Sequence, residues 1–382
     1  MVKSMLIKNA KVFCSDGMFT QKDIAVSRSR FSSKPDSSKE INASGCYAIP
    51  GLIDLHTHGC VGHDFSAANV EDIHMMTAFL AKNGITAVCP ATLTLPEDIL
   101  IRACERIKKA AATETAGASI VGINLEGPFL SPKKIGAQNP AHVRLPDVEM
   151  YRRLQSTSDG LVKLLSIAPE LPGALELISA LKDEVRLSLA HTAADYDLTL
   201  EAIKLGATHV THLFNAMPPF THREPGAIGA IFDSPSCNVE IIADGVHIHP
   251  AVVRAAFAMF GDERIVLISD SMMATGLGEG KYELGGIEVE VKGNTARLVF
   301  GGAIAGSVVT LLDVVQTAVT QMNIPLVSAV KCATVNPAKV LGVYDEHGSI
   351  DEGKYANLIL LNEKDLSVRE VILRGKCVHN GI

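Results

Sequence analysis

Several features that would place the chain in a familiar class are missing from its sequence. It has no run of about 18 apolar residues, so no membrane-spanning helix is predicted, and the apolar stretch in residues 1–10 is too short for a signal peptide. The formal net charge is −7 without a long block of like charges, which disfavours nonspecific binding of nucleic acid. The 8 cysteines form no C-x-x-C pair, a pattern that suits reduced thiols better than a disulfide scaffold. We therefore predict a cytoplasmic protein with neither a membrane nor a nucleic-acid partner.

The chain does contain short apolar runs that alternate with helical stretches over residues 50–349. Hydrophobic residues make up 47% of its 382 residues, enough for one large barrel and a smaller domain. Runs that are apolar on both faces are typical of parallel strands covered by helices. The eight runs are Leu52–His58, Ile85–Pro90, Ile120–Glu126, Leu161–Ala168, Val185–His191, Thr208–Phe214, Val239–Ala243 and Ile265–Asp270. They favour an α/β fold of the (β/α)8 TIM-barrel type, with a doubly wound open sheet as the alternative.

Both ends of the chain have a different sequence pattern, in which apolar and polar residues alternate without a helical period. This pattern covers residues 1–49 and 350–382, and it predicts one small β-sandwich domain built from the two termini. Residues 50–349 then form the barrel. A further alternating stretch at about 281–300 predicts a β-hairpin inserted after the last barrel strand.

Polar side chains that can bind metals occur where six of the eight runs end. They are His56, His58, Glu126, His191, His212, Asp244, His247 and Asp270. An isolated histidine of this kind is more often a loop residue whose ring nitrogens have ordinary hydrogen-bond partners than a metal ligand. The carboxyl ends of parallel strands, however, meet on one face of a barrel, where active sites lie. His209 is three residues from His212, so strand alternation predicts that it points to the other face.

These residue types predict a metal-dependent hydrolase. Glu126, His191 and His212 supply one carboxylate and two imidazoles, a set typical of catalytic zinc that leaves a position for water. His56 and His58 complete this site or hold a second ion with Glu126 as the bridge. Asp270 is the candidate base for the water proton; its alternatives are a helix N-cap or another ligand.

Two segments resemble the amidohydrolase superfamily. They are Pro50–Gly59, which contains the His56-Thr57-His58 sequence, and the late segment Glu352–Leu358. Within that superfamily, five more segments resemble the N-acetylglucosamine-6-phosphate deacetylases. They are Leu125–Leu130, His212–Met217, Arg223–Gly226, Ile242–His247 and Ser269–Asp270.

The resemblance implies hydrolysis of the acetamide of N-acetylglucosamine 6-phosphate to glucosamine 6-phosphate and acetate. It implies that Glu126, His191 and His212 bind the metal and that Asp270 is the general acid and base. The residues expected around the substrate are Ala137, Gln138, Asn215, Ala216, Arg223, His247, Ile304, Ala305 and Gly306. Arg223 suits the phosphate because its planar fork binds two oxygens at once. Relatives of this kind form homodimers in which the neighbouring subunit completes the phosphate pocket, so we expect a homodimer.

Departures from the family pattern leave alternatives open. Some relatives carry other residues in place of His56 and His58 and hold one ion, so one or two ions per subunit are expected here. Zn²⁺ is the expected metal, with Fe²⁺ or another divalent ion as alternatives. Gln138 stands where some relatives have histidine. The alternative functions are deacetylation of the galactosamine epimer, hydrolysis of another amide, and non-catalytic sensing of a sugar phosphate.

Overall fold

The computed structural model describes residues 4–34, 39–113 and 115–380. The strands in this part of the chain are β1 (Met5–Phe13), β2 (Phe19–Ser27), β3 (Arg30–Ser32), β4 (Lys39–Asn42), β5 (Cys46–Pro50), β6 (Leu52–Thr57), β7 (Gly59–Cys60), β8 (His63–Asp64), β9 (Ile85–Thr92), β10 (Ser119–Ile120), β11 (Ile123–Phe129), β12 (Val162–Ile167), β13 (Arg186–Leu189), β14 (Ala207–Val210), β15 (Asn238–Ile241), β16 (Ile265–Leu267), β17 (Gly280–Leu284), β18 (Ile287–Lys292), β19 (Thr295–Leu298), β20 (Leu358–Asn362), β21 (Val368–Leu373) and β22 (Lys376–Asn380). The helices are α1 (Val70–Lys82), α2 (Glu97–Ala111), α3 (Val148–Thr157), α4 (Ala174–Leu181), α5 (Tyr196–Leu205), α6 (Gly226–Phe232), α7 (Pro250–Phe260), α8 (Leu311–Thr320), α9 (Leu326–Ala333) and α10 (Val335–Val340). None of these helices has the length and hydropathy needed to cross a membrane.

All eight runs that the sequence predicts as strands lie in one parallel sheet. Its order is β10-β9-β11-β12-β13-β14-β15-β16, and β6 pairs with β9. Most of its residues are buried on both faces, as expected for a sheet packed against helices. Several predicted strand ends are wrong. β11 continues to Phe129, so Glu126 lies within that strand and not at its end, whereas β13, β14 and β16 end earlier than predicted, at Leu189, Val210 and Leu267.

The first and last strands of this sheet approach each other at their carboxyl ends. Thr57 and Ser271 form a parallel bridge. The backbone N–H of Asp270 donates to the carbonyl of His56 at 2.9 Å, and that of His58 donates to the carbonyl of Ser271 at 2.8 Å. Residues that follow β16 are therefore held beside the end of β6.

A second sheet joins the two ends of the chain. Its order is β22-β21-β20-β5-β1-β2-β3, with β4 also paired to β1. The side chains of Ile7, Val12, Leu358 and Ile372 belong to a separate apolar cluster on this sheet. The structure thus has one continuous hydrogen-bonded sheet here. Residues 1–3, 35–38 and 381–382 of the predicted terminal domain lie outside the described residues.

The predicted hairpin at about 281–300 is a three-stranded antiparallel sheet, β17-β18-β19. The third strand forms because Gly293, with φ of 57°, permits a tight turn that returns the chain along β18. Leu284 and Val289 of this sheet pack with Leu93 and Met272. The insertion is therefore fixed to the loops that follow β9 and β16.

A histidine beside the terminal sheet should make the fold sensitive to acid. His347 is buried against Tyr355, with ring centroids 5.3 Å apart, and burial lowers its pKa from 6.5 to about 4. The unfolded chain therefore binds this proton more readily, so the stability from neutral His347 is present above pH 6.5 and is lost as the pH falls towards 4.

We predict that His347→Gln reduces the loss of unfolding free energy between pH 7.5 and pH 5 by about 2 kcal/mol. Urea unfolding at the two pH values measures the difference, and His222→Gln at an exposed position is the control. An unchanged pH dependence in His347→Gln would contradict this assignment.

Candidate active site

Six side chains from five strands of the parallel sheet converge at its carboxyl edge. They are His56 in β6, His58 directly after β6, Glu126 in β11, His191 after β13, His212 after β14, and Asp270 after β16. All six are buried, with relative exposures of 8% or less. The structure therefore brings together every residue that the sequence predicts as a metal ligand or as the catalytic base.

Glu126 lies at the centre of this cluster. Its Oε1 is 2.9 Å from His212 Nε2, 3.2 Å from His191 Nε2 and 3.7 Å from His56 Nε2. Its Oε2 is 3.2 Å from His58 Nε2. Four imidazoles thus direct the same ring nitrogen towards one carboxylate.

Asp270 joins the cluster from the side of His56 and His58. Its Oδ1 lies 3.2 Å from His58 Nε2 and 3.5 Å from His56 Nε2. Burial favours the neutral acid, but the hydrogen bond with His58 and the neighbouring His56 outweigh burial and hold the pKa of Asp270 below its ordinary value. The carboxylate is consequently ionised at neutral pH, as a proton acceptor must be.

The histidines and the carboxylates of the cluster also shift each other's pKa values. Despite burial, His56, His191 and His212 hold the pKa of Glu126 well below its usual range. Burial opposes protonation of His58, but its bonds to Asp270 and Glu126 raise its pKa to about 10. The buried negative charge therefore demands a positive partner, which is either protonated imidazole or a bound cation.

The donor atoms fit a metal ion. The ligand atoms of Glu126, His191 and His212 lie within 4.8 Å of one another, and so do those of His56, His58 and Glu126. Ligands of a tetrahedral zinc ion are about 3.3 Å apart, close to the contacts of 2.9 and 3.2 Å around Glu126. His56 Nε2 is buried without a hydrogen-bond partner. The two groups share Glu126, as a bridging carboxylate between two ions would require.

Three of these side chains depend on an unusual backbone conformation. His191, His212 and Asp270 have positive φ angles of 43°, 26° and 49°. Residues other than glycine rarely occupy this left-handed region, at a cost of about 1–3 kcal/mol each. Each of them lies two or three residues beyond the last residue of its strand, and the change of direction turns the side chain inwards.

Five of the six clustered side chains, all except His56, line a cavity of about 240 Å³. Its lining residues are His58, Glu126, Gly136, Ala137, Gln138, His191, His212, Asn215, Ala216, His247, Asp270, Leu284, Ala303, Ile304 and Gly306. A larger cavity of about 450 Å³ elsewhere includes Arg30, His74 and Arg374 but neither group of candidate ligands. The smaller cavity is therefore the candidate active site.

Gln138 forms a hydrogen bond with Glu126, the central residue of the cluster. Its Nε2 donates to Glu126 Oε2, and its Oε1 accepts a hydrogen bond from the backbone N–H of Thr94 at 2.8 Å. Gly136, two residues earlier, has φ of 61°, and a Cβ there would lie 3.1 Å from the ring of His191. This loop therefore approaches the cluster too closely for a larger residue at position 136.

His247 is held in place by Asp244. The Asp244 Oδ2 is 2.8 Å from His247 Nδ1, while its Oδ1 accepts the backbone N–H groups of Val246 and His247 at 2.9 Å. Burial opposes ionisation, but the contact with His247 lowers the pKa of Asp244. Because Nδ1 of His247 is engaged with Asp244, Nε2 is the ring nitrogen left for a ligand in the cavity, where it suits a sugar hydroxyl.

Two predicted substrate residues do not line the cavity. Ala305 is fully buried between Ile304 and Gly306, which do line it. Arg223 is exposed, and no described residue forms an ion pair or hydrogen bond with its guanidinium. The contact of Arg223 with a substrate therefore stays a prediction.

Sequence reasoning overlooked Glu240 and misplaced His209. Glu240 is fully buried in β15, and its Oε2 lies 2.9 Å from His56 Nδ1. His209 also faces the interior, with Nε2 3.8 Å from Glu240 Oε1. The alternation argument fails because β14 ends at Val210 and His212 has a positive φ. The signal for Glu240 was an acidic residue inside an apolar run.

A parallel sheet that carries this set of histidines and carboxylates at its carboxyl edge is the arrangement of a metal-dependent amidohydrolase. The profile of the amidohydrolase family matches residues 47–378, and the chain belongs to that family.

Sugar-phosphate deacetylases are among its similar proteins. The N-acetylglucosamine-6-phosphate deacetylase of Bacillus subtilis is 37% identical over 98% of this chain and 97% of that protein. A solved structure of the Mycobacterium smegmatis enzyme, a mutant in complex with N-acetyl-D-glucosamine-6-phosphate, has a TM-score of 0.91 and 34% identity, covering 99% of this chain and 100% of that one. The N-acetylgalactosamine-6-phosphate deacetylase of Escherichia coli is 34% identical over 86% of each chain.

The two groups of ligands predict different effects of substitution on metal content. In the double variant His56→Gln with His58→Asn, the group with His191 and His212 stays intact. We expect the metal content to fall towards one ion per chain without loss of the fold. Elemental analysis and circular dichroism measure the two properties.

His74→Gln, which changes a histidine of α1 outside the cluster, is the matched control. An unchanged metal content in the double variant would show that His56 and His58 hold no ion.

Proposed function

We propose that this chain is a metal-dependent deacetylase that hydrolyses the acetamide of N-acetylglucosamine 6-phosphate to glucosamine 6-phosphate and acetate. The observation that carries the proposal is the meeting of four imidazoles and Asp270 around Glu126, which itself lines one cavity. The similar proteins named above act on N-acetylated sugar phosphates, which supports this substrate class.

Glu126, His191 and His212 would hold one ion, and His56, His58 and Glu126 a second. When bound, a divalent ion supplies a Lewis acid for the acetyl carbonyl and lowers the pKa of water towards neutrality. Nitrogen and carboxylate donors favour zinc, with iron as the next candidate.

Asp270 would carry the proton of the reaction. It is ionised at neutral pH, so it can accept a proton from the attacking water as the new C–O bond forms. It then returns that proton to the sugar nitrogen as the C–N bond breaks, which releases a neutral amine and acetic acid; the acid then loses its remaining proton to water and becomes acetate. The 3.2 Å contact with His58 Nε2 keeps its carboxylate directed at the cluster.

The cavity residues would position the sugar phosphate. His247, oriented by Asp244, can bind a sugar hydroxyl, and the backbone at Asn215 and Ala216 lies along the same wall. Gln138 is engaged with Glu126, so its role is to orient that carboxylate as well as to border the substrate. Arg223 remains the candidate for the phosphate, since a guanidinium binds two oxygens at once.

We also infer that the parallel sheet closes into a (β/α)8 barrel at residues 50–349. The bonds between β6 and the residues after β16 support closure. The separate sheet and apolar cluster at the two ends of the chain support a small terminal β-domain.

A homodimer is the assembly that we propose. The exposed Arg223 supports it, because the guanidinium is free to reach a phosphate at the site of a second copy. Analytical ultracentrifugation tests the assembly, and a monomer at micromolar concentration would contradict it.

Asp270→Asn removes the proton acceptor but preserves the shape of the side chain. We predict that kcat for acetate release falls by roughly two to four orders of magnitude, while KM for the sugar phosphate changes little. Steady-state assays on metal-loaded protein measure both constants, and Asp183→Asn at an exposed position is the control. Turnover like that of the wild type in Asp270→Asn would remove Asp270 from this role.

The galactosamine epimer is the second candidate substrate, because a similar Escherichia coli protein acts on it. The two sugars differ only in the orientation of one hydroxyl. We expect the larger kcat/KM with N-acetylglucosamine 6-phosphate, and a preference for the galacto substrate would reverse the assignment. Activity on unphosphorylated N-acetylglucosamine at an equal kcat/KM would argue against a sugar-phosphate enzyme of either kind.

A further inference from the structure

Glu240 is an acidic residue buried in the middle of an apolar strand. Its neighbours Val239 and Ile241 belong to the apolar cluster that packs the sheet against the helices. Ile242, two residues after Glu240, belongs to a different apolar cluster, which also contains Val266 of β16. Strand alternation therefore directs Glu240 to the interior of the sheet. A carboxylate buried in that position costs several kcal/mol unless hydrogen bonds and positive charge compensate it.

Two of the candidate metal ligands offset the cost of burying this carboxylate. Glu240 Oε2 accepts a hydrogen bond from His56 Nδ1 at 2.9 Å and another from the backbone N–H of His212 at 3.1 Å. On the other side, His209 Nε2 is 3.8 Å from Glu240 Oε1, beyond hydrogen-bond distance. His56 and His212, which belong to different groups of candidate ligands, are thus the hydrogen-bond donors to the carboxylate of Glu240 in the described part of the chain.

The hydrogen bond to Nδ1 decides what His56 offers at its other nitrogen. A neutral imidazole that donates from Nδ1 has its lone pair on Nε2. That Nε2 lies 3.7 Å from Glu126 Oε1 and 3.5 Å from Asp270 Oδ1, without a hydrogen-bond partner of its own. Glu240 therefore fixes both the tautomer and the direction that His56 needs as a ligand.

The formal charges of the cluster also support a role for Glu240 in metal binding. Glu126, Asp270 and Glu240 place three carboxylates in or behind the cluster, and no lysine or arginine is among the described residues that line its cavity. One divalent ion would leave a formal charge of −1 with neutral imidazoles, whereas two ions would leave +1. The charge of Glu240 therefore favours the binding of a second ion.

We propose that Glu240 is the positioning residue of a second metal site formed by His56, His58 and Glu126. The proposal rests on the metal-dependent function proposed above. It assigns to Glu240 the selective control of the second ion, because its charge-assisted bond reaches a ligand of that site, whereas it contacts His212 only through the backbone.

Glu240→Gln tests the proposal, because glutamine preserves the shape and removes the charge. Wild-type and variant chains are stripped with a chelator and equilibrated at buffered free Zn²⁺ concentrations, and the ions per chain are counted by elemental analysis. We expect the Kd of the second ion to rise by about 10- to 100-fold, while that of the first changes by less than about threefold. Glu240→Asp keeps the charge and should give a smaller rise.

Glu370→Gln is the matched control, since Glu370 is also a buried glutamate in a strand but lies in the terminal sheet. It should bind both ions as the wild type does. Wild-type affinity for the second ion in Glu240→Gln would overturn the proposal. An equal loss of both ions would do the same, because that result indicates a general structural role. If Glu240→Gln fails to fold, the same selective loss is required of Glu240→Asp.

The titration contains no substrate, so it is independent of the proposed function. A wild-type chain that binds two ions but releases no acetate would contradict the deacetylase and leave the role of Glu240 standing. A wild-type chain that deacetylates the sugar phosphate yet binds only one ion at saturating Zn²⁺ would contradict the role of Glu240 alone.

Discussion

The buried carboxylate of Glu126 is the constraint around which the site is organised. A negative charge in the interior is stable only when positive charge or several hydrogen bonds surround it, and here four imidazoles and Gln138 direct nitrogen atoms at its two oxygens. The four imidazoles come from the ends of strands that are far apart in the sequence. The parallel sheet is what brings their carboxyl ends to one place.

The fold meets this constraint with conformations that isolated segments would avoid. His191, His212 and Asp270 turn inwards through left-handed backbone angles just beyond their strands. Such angles persist only when the surrounding structure holds them. For Asp270, the backbone bond to the His56 carbonyl at 2.9 Å supplies part of that support. The same bond joins the first and last strands, so the site and the sheet stabilise each other.

Much of this arrangement could be predicted because parallel strands leave a clear pattern. Runs that are apolar on both faces located all eight strands, and the polar residues at their ends located His56, His58, His191, His212 and Asp270. Glu126 was found for a partly wrong reason, since β11 continues to Phe129.

What could not be predicted depends on contacts between distant strands. Periodicity assigns Glu240 to a face, but it does not reveal that His56 Nδ1 lies 2.9 Å away. Alternation placed His209 on the wrong face because the strand ends before His212. The link from Gln138 to Glu126 depends on a loop that no periodic pattern describes.

The proposed metal site requires two ions that share the carboxylate of Glu126. Anomalous diffraction at the zinc edge, from crystals of the Zn²⁺-loaded wild-type chain, tests it most directly. We expect two peaks about 3.5–4 Å apart, both adjacent to Glu126, with one near His191 and His212 and the other near His56 and His58. A single peak at full occupancy, or a second peak away from Glu126, would contradict it.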